Sequence, residues 1–323
     1  MKILKWLFGI IAGLILLIGA GLAVASLFYR GVPPAEVEAR WATPPSKFVV
    51  VDGVRMHYRD SGQGPVVVLL HANYANLFMW EPWAKALEDR YRVIRVDLPA
   101  HGLTGPDPTG VYKLERIVQL FEGFVDALEL REFSLAGASI GGTIAMHYTG
   151  RHPERVERLI LMNPGSLEKD VRGRDTPPNL PRAANILAYV TPRSMAGGLL
   201  RVSFGDSSKV TESMIDEWYE LWMREGNRMA MLDLLRQYVS GDVEGKIRAV
   251  RVPVLLIWGE KNPRVPLALA YEFQKLLTNA PSVKLVVLPG VGHMAVHEAP
   301  VESARAAREF LDSSSTAAAA AAP

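Results

Sequence analysis

Short apolar runs rich in Val, Ile and Leu recur along residues 46–312, and most are followed by a segment of helical period. Runs buried on both faces with helices between them fit a mostly parallel sheet covered on both sides. Residues 48–51, 54–58, 66–70, 91–96, 133–136, 156–162, 254–258 and 284–288 are the eight expected strands. The first two flank Asp52-Gly53 and form a hairpin. The rhythm stops once, over 165–250, where only helical period is found, so this stretch is expected to be a helical cap. The cap divides an α/β core into 46–164 and 251–312.

The N terminus stands apart. Residues 6–29 are uncharged for long enough to cross a bilayer as a helix. Lys2, Lys5 and the α-amino group precede this run and only Arg30 follows closely, which favours a cytoplasmic N terminus and a translocated body. The expected location is therefore a single-pass anchor in the cell membrane, with the body on the periplasmic or extracellular side. Ala23-Val24-Ala25 has the small-residue pattern of a signal-peptide cleavage site, but the apolar run continues past it through Leu27 and Phe28. An uncleaved anchor over residues 1–30 is the preferred reading. Residues 31–45 are proline-bounded and read as a spacer, while 313–323 (SSSTAAAAAAP) read as a disordered tail.

A net charge of +2, from 36 basic and 34 acidic residues, lacks the basic excess a nucleic-acid partner demands. With no cysteine, thiol nucleophiles and thiolate-bound metals are excluded.

Chemistry concentrates at three places. Gly137-Ala138-Ser139-Ile140-Gly141-Gly142 sits between a strand and a helix, the context of a nucleophile elbow with Ser139 at its apex. His71-Ala72-Asn73 follows the strand at 66–70, where a backbone N–H can join that of the residue after the nucleophile to form an oxyanion hole; Asn73 and Ile140 are the candidate donors. His71 itself reads as a loop-orienting residue. Gly290-Val291-Gly292-His293 follows the last strand, where a general base can reach the serine, and His293 is that candidate. The other histidines read as structural or surface residues. Met214, Trp218, Trp222, Met223, Met229 and Met231 in the cap either fill a core or line an adaptable apolar pocket, and different residues can do each.

The ordered segments LLHANYAN, RVIRVDLPAHGLTGPDPTG, LAGASIGG, RHPERVERLILMNP, VPVLLIWGEKNPRVP and LPGVGHMAVHEAP resemble the α/β-hydrolase fold superfamily, specifically its membrane-anchored bacterial members, over residues 48–311. The resemblance implies a Ser–His–acid triad, a cap after the sixth core strand, and neither metal nor organic cofactor. Relatives carry glycine where this chain has Ala72 and Ala100. A Cβ at residue 72 would crowd the oxyanion loop if that residue needed a positive φ. The larger departure is Asn262, which stands where the family has its triad aspartate. Asparagine can hydrogen-bond the histidine but brings no charge; in the serine-protease template that exchange lowers turnover by about 10⁴. Glu260, two residues earlier, is a possible rescuer but reads better as a solvated carboxylate, and the strand at 156–162 ends in Asn163 instead of an acid. The expected activity is hydrolysis of a small apolar carboxylic ester or related acyl compound. The alternative is a weakened or silent fold that binds an apolar ligand.

Overall fold

The computed structural model describes residues 2–165 and 179–313. The expected tail beyond Ser313 and the cap residues 166–178 lie outside that range. Eight strands form one sheet: β1 (Ser46–Val51), β2 (Val54–Ser61), β3 (Val66–Leu70), β4 (Arg92–Val96), β5 (Phe133–Ala138), β6 (Val156–Met162), β7 (Val254–Gly259) and β8 (Val283–Leu288). Their order is β1-β2-β4-β3-β5-β6-β7-β8. Only the β1–β2 and β2–β4 pairings are antiparallel, and Val51 faces Val54 across the hairpin.

The helices in chain order begin with α1 (Lys2–Phe28) and α2 (Pro34–Trp41), then α3 (Glu81–Leu87), α4 (Leu114–Ala127) and α5 (Ile140–Arg151). Across the cap run α6 (Ile186–Tyr189), α7 (Arg193–Arg201), α8 (Glu212–Met223), α9 (Asn227–Gln237) and α10 (Val243–Ala249). The chain closes with α11 (Ala268–Leu276), α12 (Ala295–Glu298) and α13 (Pro300–Asp312).

Strands β3 and β7 are buried on both faces because every residue in them is apolar or glycine. Val67 to Leu70 and Val254 to Trp258 are fully buried, as strands covered by helices on both sides must be. Ordering the chain this way puts the C-terminal ends of β3, β5, β6, β7 and β8 along one edge, where the loops of such folds carry chemistry. The expected strands agree with these to within a few residues.

Helix α1 is long and apolar enough to cross a membrane: Lys5–Ala25 has a mean hydropathy of 2.7 and none of that apolar window is buried among the described residues. Residues 31–45 are more ordered than a spacer. Val32 N donates to Met223 O at 2.7 Å and Glu225 N to Val32 O at 2.8 Å. Helix α2 then starts on Pro34, whose fixed φ suits a first helical turn, and buries Val37 against Leu103 and Leu221. Trp41 Nε1 donates to Glu220 Oε2 at 3.1 Å. The segment that leaves α1 is thus seated on the cap helix α8.

Candidate active site

Ser139 stands at the turn between β5 and α5 with φ 51° and ψ −118°, a region that costs a non-glycine residue strain and is kept where function requires it. The surrounding glycines are there for space. A Cβ on Gly137 would lie 2.2 Å from Gly141 O, and one on Gly141 would lie 2.4 Å from Leu70 O. Ser139 N donates to Met162 O at 3.0 Å. The serine is half-buried in an otherwise buried run. Ile140 opens α5, so its N–H has no carbonyl one turn back and points with the helix N terminus toward the same space.

The loop after β3 is held by two neutral histidines. His71 Nδ1 donates to Ala72 O at 2.7 Å and Nε2 accepts from Leu98 N at 2.9 Å, so its ring braces two loops and has no free nitrogen for catalysis. Burial holds its pKa below the usual histidine value. His101 Nδ1 donates to Pro99 O at 2.9 Å and Nε2 lies 2.9 Å from Asn73 Oδ1; burial, with His71 nearby, takes it down to about 3. Ala72 does not take a positive φ, so its Cβ creates no strain; the left-handed residues are Tyr74 at 64° and Ala100 at 74°. The latter is the position where relatives have glycine.

His293 is carried by the loop between β8 and α12. Its backbone is fixed from two sides: His293 N donates to Ser203 O at 2.7 Å, and Asn163 Nδ2 donates to His293 O at 2.8 Å. Glu298, buried five residues on, accepts from Gly292 N at 2.8 Å and from Gly205 N at 2.8 Å. Asn163 Oδ1 also accepts from Gly259 N at 3.0 Å, so one side chain at the end of β6 clamps the loops after β7 and β8. The His293 imidazole is buried, and among the described residues Nδ1 has no hydrogen-bond partner. Burial first, then the Arg264 guanidinium, pushes its pKa down to about 3. No carboxylate acts in the opposite sense. Among the described residues, no hydrogen bond joins His293 to Ser139 or to Asn262.

Asn262 is buried on the loop after β7, and Lys261 N donates to Val291 O at 2.9 Å, which joins that loop to the one bearing His293. Its Oδ1 accepts from Arg264 N and Val265 N, both at 3.0 Å, while Nδ2 is a buried donor with no acceptor. Glu260 points elsewhere: its carboxylate accepts from Gly290 N at 2.8 Å on an exposed part of the loop.

His57, on β2, and Asp97, just after β4, form a buried pair at 2.7 Å. Burial would raise the Asp97 carboxyl, but hydrogen bonds from His57 and Leu103 hold it below the usual range. Among the described residues no cluster of His, Asp and Glu is arranged to hold a metal ion.

A cavity of about 500 Å³ lies between the cap and the loop after β3, lined by Tyr74, Leu199, Trp222, Arg228, Met231 and Leu235 among others. Trp222 Nε1 donates to Tyr74 O at 2.7 Å. Asn76 Nδ2 donates to Glu217 Oε1 at 3.1 Å, and burial raises the Glu217 carboxyl to about 7. The cap's sulfur and aromatic residues divide: Trp218 is core, whereas Trp222 and Met231 line the cavity. Glu298, Glu217 and Arg228 were not singled out from sequence. Only Glu298 carried a usable signal, lying within the same short segment as the histidine it supports.

This architecture, a strand–serine–helix elbow facing a histidine loop across one sheet edge, defines an α/β-fold hydrolase. The model for the alpha/beta hydrolase fold matches residues 65–300, and the chain belongs to that family. The 2-hydroxy-6-oxo-6-(2'-aminophenyl)hexa-2,4-dienoic acid hydrolase of Metapseudomonas resinovorans is 28% identical over 82% of this chain and 90% of its own length. A serine hydrolase involved in carbazole degradation superposes with a TM-score of 0.71 at 25% identity, covering 82% of this chain and 98% of that one. A membrane phospholipase A superposes with a TM-score of 0.68 at 24% identity, and the shared fold spans 97% of this chain and 98% of that one.

Proposed function

We propose that the chain hydrolyses a carboxylic ester or related acyl compound through an acyl-enzyme on Ser139. His293 takes the serine proton and returns it to the leaving group, and the N–H groups of Asn73 and Ile140 receive the oxyanion. The observation that carries this reading is the strained φ of 51° at Ser139, at the start of α5. The relative named above as the hydrolase of a 2-hydroxy-6-oxo dienoic acid widens the substrate class from esters to oxo acids. The apolar cavity beside Tyr74 favours a small apolar acyl group.

Asn262 takes the place of the triad acid, and it favours a slow enzyme. A neutral amide cannot offset the charge that develops on the imidazole, and Arg264 disfavours that charge further. If the rate falls to nothing, the fold is a silent one that binds an apolar ligand. Turnover of p-nitrophenyl esters by the full chain, lost in Ser139→Ala, separates the two readings. We further propose that α1 stays in the membrane with the body on the outer side, a reading supported by its apolar length and by the positive charges ahead of it.

A further inference from the structure

Among the described residues, Arg228 is the one charged side chain on the wall of the cap cavity. Its guanidinium carries five donors, of which the fold uses few: Nη2 donates to Tyr29 O at 2.7 Å, and Nη1 reaches Thr191 Oγ1 at a long 3.4 Å. Among the described residues, no carboxylate lies within ion-pair distance of it. The side chain is half-buried, and burial lowers its pKa, so the cation is held where water solvates it poorly and no carboxylate among the described residues repays the loss. Around it, Leu199, Met231 and Leu235 form apolar walls. A planar cation at one point of an apolar cavity complements a ligand with a single anionic head and an apolar chain, because guanidinium matches carboxylate and phosphate oxygens pairwise.

We propose that Arg228 makes this cavity a binding site for amphiphiles bearing one carboxylate or phosphate group, with the apolar chain against Leu199, Met231 and Leu235. Binding stands by itself; that such an amphiphile is also a substrate rests on the serine-hydrolase reading.

The test uses the full chain carrying Ser139→Ala in phosphatidylcholine nanodiscs, titrated calorimetrically with octanoate, octyl phosphate and octanol, with empty nanodiscs subtracted. Octanoate or octyl phosphate binds at least about tenfold more tightly than octanol, and the better of the two identifies the head group. Adding Arg228→Gln brings the anions to the octanol level while octanol binding persists, which shows the cavity intact; Arg228→Lys retains part of the preference. Equal affinities for octanoate, octyl phosphate and octanol, no binding of any of them, or an unchanged preference in the Gln variant overturns the inference. In a second arm, the chain with Ser139 present hydrolyses mono-p-nitrophenyl suberate with a lower KM than its methyl ester. If anions bind through Arg228 but neither ester is cleaved, the hydrolase reading fails and the binding site stands.

Discussion

Ser139 and His293 are tied to consecutive residues at the end of β6: Ser139 N donates to Met162 O at 3.0 Å, and Asn163 Nδ2 donates to His293 O at 2.8 Å. Ser139 and His293 come from loops 154 positions apart in sequence, yet one dipeptide step sets the backbone of both. Asn163 has φ 44°, which asparagine tolerates better than most residues. Asn163→Ala therefore removes the buried hydrogen bonds to His293 O and Gly259 N and leaves alanine in a left-handed conformation. The expected loss is ~2–4 kcal/mol of stability, read by chemical denaturation. Esterase kcat falls with it, and KM for small esters changes little. Unaltered stability would show that the clamp is dispensable.

Asn262→Asp is expected to supply the charge that the imidazole lacks, since Asn262 Nδ2 and His293 Nδ1 are both buried without a hydrogen-bond partner among the described residues. One aspartate oxygen is expected to keep the bonds from Arg264 N and Val265 N, leaving the other to accept from His293 Nδ1–H. Turnover and kcat/KM rise together by about 10² to 10⁴. The pH profile changes as well. With the His293 pKa near about 3 the base is neutral throughout the working range, so the parent rate does not fall between pH 7 and 5. A neighbouring carboxylate raises that pKa, and an acid limb appears as the imidazole protonates. A rate rise without the new limb would place the effect elsewhere.

Glu217 is the cap's pH-sensitive contact. Its carboxyl is raised to about 7 by burial, above an unfolded value near 4.5. A raised carboxyl favours the fold below the unfolded pKa, and that contribution is lost as pH climbs through 7. Glu217→Gln keeps an acceptor for Asn76 Nδ2 and removes the titration. The variant should match the parent at pH 4.5 and exceed it by ~1–3 kcal/mol at pH 8. Parallel stability curves would contradict the assignment.

Retention of α1 gives a simple fractionation result. The full-length chain sediments with membranes, and protease added from the outside digests the body, leaving only the N-terminal fragment. A soluble product beginning near Ser26 would replace the anchor with a cleaved signal.

The strands and the elbow were legible in the sequence because they rest on local signals: Val66 to Leu70 can bury both faces in only one kind of sheet, and Gly137 and Gly141 leave room for only one kind of turn. The supporting groups were not. Glu217 meets Asn76 across 141 residues, and Glu298 meets Gly205 across 93; neither side chain has a periodicity that announces its partner. Residues 31–45 were read as a spacer because an eight-residue helix with one buried valine, Val37, makes almost no apolar stripe. At Asn262 the sequence showed the missing charge, but only the structure shows Oδ1 committed to Arg264 N and Val265 N.

The central claim is that Ser139 is a nucleophile served by a base without an acid. Covalent labelling of the full chain by a fluorophosphonate tests it without knowledge of the substrate. The account predicts slow labelling of the parent, faster labelling of Asn262→Asp, and none in Ser139→Ala in either background. Labelling that persists in Ser139→Ala, or an Asn262→Asp chain that stays unlabelled while folded, would contradict it.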